Sequence, residues 1–150
     1  MFHLKVGDQA PDFSLPNESS QTISLSDYKG QKLVIYFYPK DDTPGCTAQA
    51  CSLRDNHHSF LNKGYAVLGV SPDSVKKHVK FREKYDLPFS LLADETHAMS
   101  EAYGVWGQKK FMGKTYNGIH RTTFIIDEAG KIERIVEKVD TAEHATQLLG

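Results

Sequence analysis

One short segment, Lys32–Tyr38, constrains the fold of this chain more than any other. Residues 33–38 are all apolar or aromatic and do not alternate with polar residues. A strand with water on one face alternates, so this pattern predicts a strand that is buried on both faces. Residues 65–70 show the same pattern. Two such strands need packed layers on both sides, which predicts a central sheet between helices.

Segments with a helical pattern follow these strands. The pattern predicts one helix over residues 43–63, ended by Gly64, and another that reaches about Tyr85. Alternating residues predict an N-terminal β-hairpin within residues 12–25, and a C-terminal hairpin over residues 122–136 is followed by a helix. This order is typical of an α/β sandwich of the thioredoxin-like type, with a mixed central sheet flanked by helices.

The length and charge of the chain narrow the classes of function. Its 150 residues suit a single domain over residues 1–150, and no linker or repeat divides them. The net charge of −1 gives no basic surplus for nucleic acid or a membrane surface. The apolar stretches are far too short to span a membrane, and the first residues lack the pattern of a signal peptide. We therefore expect a cytoplasmic protein, in whose reducing compartment a cysteine pair is typically catalytic or metal-binding.

The two cysteines of the chain, Cys46 and Cys51, come just after the first buried strand, where a helix is predicted to begin. Thr43 fits the N-cap of that helix and Pro44 its first position, while Gly45 allows close approach to the backbone. Backbone N–H groups and the helix dipole favour a thiolate at such a place. The pattern indicates a reactive thiol at Cys46. For Cys51, a role as a small buried apolar residue is equally open.

Other cysteine chemistries fit this pair less well. His57 and His58 follow Cys51, but a structural zinc site would need a further pair of ligands, and the chain has no second cysteine pair. The remaining histidines are scattered, and we interpret them as surface or locally hydrogen-bonded residues. A thioredoxin-like oxidoreductase would need Cys-x-x-Cys, which is absent.

The spacing of the pair has a geometric consequence. On one intact helix, Cα atoms five residues apart are separated by about 8.6 Å. A disulfide needs less than about 7 Å. Either the two cysteines never bond, or the first turns of the helix unwind.

The segment around the cysteines resembles the active site of the peroxiredoxins. Pro39, Thr43 and Cys46 form the pattern Pro-x-x-x-Thr-x-x-Cys. The run Thr-Pro-Gly-Cys-Thr-x-Gln-Ala-Cys, which ends at Cys51, is similar to the bacterioferritin comigratory protein, or peroxiredoxin Q, subfamily. The similarity continues along nearly the whole chain, in residues 10–13, 69–73, 92–94, 103–106 and 121–127.

The resemblance implies an antioxidant thiol peroxidase of the atypical 2-Cys type, which reduces hydrogen peroxide and organic hydroperoxides with no metal, haem or flavin cofactor. Cys46 would be the peroxidatic cysteine and pass through a sulfenic acid. Cys51 would resolve it as an intramolecular, redox-active disulfide. Thioredoxin or a similar dithiol would then reduce that disulfide. The subfamily is often monomeric, so we expect a monomer that binds neither nucleic acid nor membrane.

The resemblance also assigns roles around the sulfur. Thr43 and Arg121 would act with Cys46, because a hydroxyl and a guanidinium can donate hydrogen bonds to the thiolate and to the peroxide. Pro39, Pro44 and Gly45 would contact the substrate, and Pro39 would also shield the sulfur from water.

Two alternatives stay open at this point. A redox sensor or holdase could use the same disulfide switch, and catalytic turnover would distinguish it from a peroxidase. The glycine-rich and aromatic residues 104–120 could form an apolar wall beside Cys46 for bulky hydroperoxides. A surface loop whose aromatic side chains pack on the core is the other interpretation.

Overall fold

The computed structural model describes residues 3–150. Over these residues the strands are β1 (Ser14–Pro16), β2 (Thr22–Ser24), β3 (Lys32–Phe37), β4 (Tyr65–Ser71), β5 (Ser90–Ala93), β6 (Trp106–Phe111), β7 (Lys114–Ile119), β8 (Thr122–Ile126) and β9 (Ile132–Val136). The α-helices are α1 (Pro44–Asp55), α2 (His57–Asn62), α3 (Val75–Tyr85), α4 (Ala98–Ala102) and α5 (His144–Leu149). Within this described part of the chain, no helix is both long and apolar enough to cross a bilayer.

A five-stranded mixed sheet, in the order β5-β4-β3-β8-β9, forms the centre of the fold. The central strand β3 pairs in parallel with β4 and antiparallel with β8. Strands β4 and β5 are parallel, whereas β8 and β9 are antiparallel. Strands β1 and β2 form a separate hairpin. The predicted thioredoxin-like α/β fold, with its mixed sheet and N-terminal hairpin, is therefore confirmed.

Strand β3 supplies side chains to two apolar cores, one on each face of the sheet. Its odd-numbered residues 33, 35 and 37 pack in the core that contains Phe13 and Tyr103. Its even-numbered residues 34 and 36, together with Tyr38 just after the strand, pack in the core that contains Cys46 and Phe81. Because both faces are covered, apolar residues are required at every position from 33 to 38, which explains the absence of alternation.

The structure corrects two expectations about local structure. The helix predicted over residues 43–63 is broken at Asn56, whose side-chain amide donates a hydrogen bond to the carbonyl oxygen of Ser52 at 2.9 Å. The expected loop over residues 104–120 is instead the β6–β7 hairpin. Its turn is made by Met112 and Gly113, with φ of 51° and 78°, which is the left-handed backbone that a tight hairpin turn requires.

Candidate active site

Cys46 lies in the first turn of α1, directly beyond the end of β3. Thr43 precedes the helix with an extended backbone, and its carbonyl oxygen accepts a hydrogen bond from Thr47 N at 2.8 Å. The side chain of Cys46 points into the core against β3, so the residue is only 1% exposed. The sulfur therefore lies in a desolvated pocket at the N-terminal end of the helix, where backbone N–H groups have no helical partner.

Arg121 reaches this sulfur from the neighbouring strand. It immediately precedes β8, whose first residue pairs with the last residue of β3. The guanidinium therefore lies at the end of the sheet where β3 ends. Nη2 donates a hydrogen bond to Cys46 Sγ at 3.3 Å, and Nη1 donates to Gln49 Oε1 at 2.6 Å. The fork thus holds a fixed positive charge within hydrogen-bond distance of the sulfur.

Gln49 is a site residue that the sequence analysis missed. It follows Cys46 by three residues on α1, and residues at this spacing lie on the same face of a helix. That spacing was the available signal. Gln49 is fully buried, and its amide nitrogen has no hydrogen-bond partner. Its oxygen orients Arg121, which in turn contacts the sulfur.

The remaining predicted residues lie in the loop that leads into α1 and in the first turn of that helix. A Cβ atom at Gly45 would lie 3.3 Å from Arg121 Nη2, so glycine gives the guanidinium room to approach. The hydroxyl of Thr43 donates to the carbonyl oxygen of Lys40 at 2.9 Å and makes no capping hydrogen bond to the helix. Pro39 is half-buried in the same loop, and Pro44 is exposed.

An open cleft of about 650 Å³ borders the site on the side of Arg121. Lys109 of β6 and Thr122 line it together with Arg121. The ammonium group of Lys109 donates to the carbonyl oxygen of Ile119 at 2.8 Å. Burial, followed by the positive charge of Arg121, lowers the pKa of Lys109, whereas Cys46 acts in the opposite direction. Lys138 also lines the cleft, so three cationic side chains face it together with one carboxylate, that of Glu137.

Cys51 lies on the same helix, half-buried, and both cysteines are free thiols. Because α1 is continuous from Pro44 to Asp55, the pair has the spacing that excludes a bond on an intact helix. The structure is thus that of the reduced protein with α1 folded.

The histidines are expected to be surface or locally hydrogen-bonded residues, and two of them are hydrogen-bonded without lying at the surface. His78 and His144 are both fully buried. His57 instead lies beside the Phe89 ring, at 6.0 Å between ring centroids. Over residues 3–150, no group of three or more His, Cys, Asp or Glu side chains is arranged to hold a metal ion.

Comparison with known proteins identifies the family. The sequence profile of the AhpC/TSA family matches residues 6–135. Peroxiredoxin Bcp of Bacillus subtilis (strain 168) is 49% identical over 146 residues, which cover 97% of this chain and 93% of that protein. Peroxiredoxin Bcp of Escherichia coli (strain K12) is 52% identical over 141 residues, or 94% and 90% of the two chains. The chain belongs to the AhpC/TSA family, among its Bcp peroxiredoxins. It is therefore an enzyme with a peroxidase function.

Solved structures of peroxiredoxins agree with this assignment. Peroxiredoxin Q of Xanthomonas campestris is 36% identical, with a TM-score of 0.89 and coverage of 99% of this chain and 94% of that one. A cysteine-to-serine mutant of peroxiredoxin Q from Xylella fastidiosa is 33% identical, with a TM-score of 0.93 and coverage of 99% and 95%. The predicted membership of the bacterioferritin comigratory protein subfamily is thereby confirmed.

Proposed function

We propose that this peroxiredoxin reduces hydrogen peroxide and organic hydroperoxides through Cys46 as the peroxidatic thiolate. One observation carries the proposal: the Arg121 fork joins Cys46 Sγ and Gln49 Oε1 at the buried N-terminus of α1. A guanidinium held in this way needs no rearrangement when negative charge develops beside it. A Xanthomonas campestris relative, 35% identical, has been described in terms of alkyl peroxide reduction, which supports the substrate class.

The first step is a displacement at oxygen. The Cys46 thiolate attacks the terminal oxygen of the hydroperoxide, the S–O bond forms, and the O–O bond breaks heterolytically. The electron pair of that bond leaves with the alkoxide or hydroxide, which takes a proton and departs as alcohol or water. Sulfur is oxidised to the sulfenic acid and the peroxide is reduced. Arg121 stabilises the charge on the leaving oxygen. We assign Thr43, Gly45, Pro44 and Pro39 to the rim that holds the peroxide.

In the second step Cys51 resolves the sulfenic acid. Its thiolate attacks Cys46 sulfur, hydroxide leaves as water, and a disulfide forms. The first turns of α1 must unwind for this. They are weakly stabilised, because glycine occupies the second helical position, the first turn contains no acidic residue, and the Thr43 side chain does not cap the helix.

A cytoplasmic dithiol reductant of the thioredoxin type completes the proposed cycle by thiol–disulfide exchange, with the enzyme acting as a monomer. The dithiol supplies both electrons, so each turnover consumes one hydroperoxide and oxidises one reductant. A redox sensor or holdase would consume about one equivalent of peroxide and stop. The Bcp relatives favour the enzyme over that alternative.

Two cysteine variants test this cycle separately. Replacing Cys46 with serine is expected to abolish the peroxide reaction. Cys51→Ser is expected to keep the first oxidation and to lose thioredoxin-linked turnover. Stopped-flow mixing with peroxide measures the first step, and non-reducing peptide mapping detects the Cys46–Cys51 bond. Full turnover by Cys51→Ser would show that another thiol resolves the sulfenic acid, and peroxide reduction by Cys46→Ser would refute the scheme.

A further inference from the structure

A buried polar network lies beside the loop that connects β3 to α1. Asp41, in the middle of that loop, is buried although it carries a carboxylate. Its Oδ1 accepts a hydrogen bond from the hydroxyl of Tyr38 at 2.6 Å. Its Oδ2 lies 2.6 Å from Nδ1 of His78, a residue of α3 that is fully buried. Buried charge of this kind is tolerated only when it is paired and hydrogen-bonded, as it is here.

The hydrogen-bond partners of His78 fix the protons on its ring. Nε2 lies 2.9 Å from the carbonyl oxygen of Leu92, which can only accept, so Nε2 carries a proton. The contact between Nδ1 and Asp41 then contains one further proton. Both ring nitrogens and both carboxylate oxygens are thus satisfied, and the ring has one orientation between β5 and the loop.

The backbone of the loop is held from the same side. Asp41 N donates to Asp73 Oδ2 at 2.7 Å, and that oxygen also accepts from the hydroxyl of Ser71 at 2.9 Å. Asp42 has a left-handed backbone with φ of 59°. Its carboxylate accepts from Tyr85 Oη and from Lys84 Nζ, each at 2.8 Å.

These anchors lie on the sheet, at Tyr38 just after β3, on α3 or on the turn that leads into α3, and α1 supplies none of them. Two residues beyond Asp41 comes Thr43, whose carbonyl oxygen accepts the first hydrogen bond of α1. The contacts of the loop therefore do not depend on whether α1 is folded. The contacts of Cys46 with Arg121 and with the core, in contrast, require that α1 is folded.

We propose that His78 is a positioning residue, which holds the β3–α1 loop through Asp41, so that Thr43 and the first N–H groups of α1 face the peroxide and unwinding of α1 stops at Thr43. The second half of this inference rests on the proposed resolution by Cys51. The first half concerns only the reduced enzyme and stands without it.

The experiment compares His78→Ala with His78→Asn, whose shorter amide can still donate to Asp41 from about the place of Nδ1. The second-order rate constant for oxidation of Cys46 by hydrogen peroxide is measured by stopped flow on the reduced enzyme. Because misplacing a reacting group by about 1 Å can cost about 100-fold, we expect a 10- to 100-fold loss in His78→Ala. His78→Asn is expected to recover most of that loss. Alkylation of Cys46 by iodoacetamide, which needs no aligned peroxide, is expected to change by less than about threefold.

His144→Ala is the matched control. His144 is also fully buried, and both of its ring nitrogens have partners at 2.8 Å, Thr123 Oγ1 and Gln147 Oε1, away from the loop. We expect it to lower the melting temperature as much as His78→Ala and to keep the peroxide rate constant. Equal loss of rate in the two variants, or no loss in His78→Ala, would overturn the role of His78. If His78→Ala does not fold, Tyr38→Phe is compared with Tyr103→Phe. The first removes the hydrogen bond from the Tyr38 hydroxyl to Asp41 Oδ1, and the second removes the hydrogen bond from the Tyr103 hydroxyl to the carbonyl oxygen of Pro11.

Hydrogen exchange on the oxidised wild type tests the stopping point. We expect the amide of Asp41 to stay protected while that of Thr47, which bonds to Thr43, loses protection. Loss at both amides would place the hinge further upstream and contradict the proposal. If no Cys46–Cys51 disulfide forms at all, the proposed resolution fails, but the rate constants of the reduced His78 variants still decide whether His78 positions the loop.

Discussion

The contact between Arg121 and the sulfur makes the sharpest prediction. Replacement of Arg121 by methionine keeps much of the apolar stem and removes the guanidinium. The change deletes two charge-assisted hydrogen bonds, 3.3 Å to Cys46 Sγ and 2.6 Å to Gln49 Oε1. The amide nitrogen of Gln49 already has no hydrogen-bond partner, and the substitution removes the partner of its amide oxygen too. Both the charge beside the sulfur and the orientation of the site are therefore lost.

The expected loss of rate follows from what Arg121 does as the O–O bond breaks. Its bond to the sulfur already exists in the reduced enzyme, and only the interaction that strengthens in the transition state accelerates the step. Removing one donor aimed at developing negative charge typically costs about 2.7–4 kcal/mol, or about 10²–10³ in rate. We expect a decrease of this size in the rate constant for peroxide. Arg121→Lys should lower the rate constant less than Arg121→Met does, by about tenfold, because the ammonium keeps the charge but cannot bridge both acceptors.

Stopped-flow oxidation of Cys46 under excess peroxide measures these rate constants directly. Arg134→Met is the matched control, since Arg134 also donates from both terminal nitrogens, at 3.2 Å to Leu148 O and 3.1 Å to Gln147 O, without reaching the site. It should react like the wild type. An Arg121→Met enzyme within about threefold of wild type, or an equal loss in Arg134→Met, would refute the electrostatic account.

Three further predictions concern other parts of the molecule. Trp106 stacks on His97 at 3.6 Å between ring centroids and does not line the cleft beside Arg121. Trp106→Ala should therefore lower the rates with hydrogen peroxide and with an alkyl hydroperoxide by the same factor. A selective loss with the alkyl hydroperoxide would support the hypothesis that residues 104–120 form an apolar wall beside Cys46. Burial lowers the pKa of His144 from 6.5, so the contribution of the neutral ring to the free energy of unfolding should be fully present above about pH 6.5. It should decline as the pH falls through the folded-state pKa, because the unfolded chain binds the proton more readily. Denaturant titrations should show this decline in the wild type and a smaller one in His144→Gln, and identical declines in the two proteins would contradict the prediction. Gly45→Ala would put a Cβ 3.3 Å from Arg121 Nη2, so it should slow peroxide oxidation in stopped flow; an unchanged rate would show that the guanidinium can shift freely.

The central sheet could be predicted because its residues face two cores. Strands β3 and β4 are buried over most of their length, and uninterrupted apolar runs are the expected sequence for such strands. The β6–β7 hairpin was missed for a physical reason. Its turn contains Met112 where glycine or asparagine is usual, whereas the turn-like pair Asn117–Gly118 lies inside β7. Gly118 serves packing there, since a Cβ would lie 3.2 Å from the Lys109 stem.

The site residues could be predicted from local sequence only where they lie in one short segment of the chain. Cys46 could be selected from its position after a buried strand. Arg121 is 75 residues away and was found through the family pattern, because no local rule joins two strands that pair only in the fold. His78 gave no signal at all. A histidine on a lysine-rich helix reads as a surface residue, and its burial is decided by β5 and the β3–α1 loop, which close over it.

The five-residue spacing of the cysteines separates the two halves of the proposed cycle. On an ideal helix, Cα atoms three or four residues apart lie about 5 and 6.2 Å from each other, within reach of a disulfide, so such pairs could bond without unfolding. At five residues the distance is about 8.6 Å, and the bond must wait for the helix to open. The contacts that make Cys46 reactive, with Arg121 and the first turn of α1, are then the same ones that keep Cys51 away. A peroxide can therefore react before the site comes apart, and resolution can begin only after those contacts break.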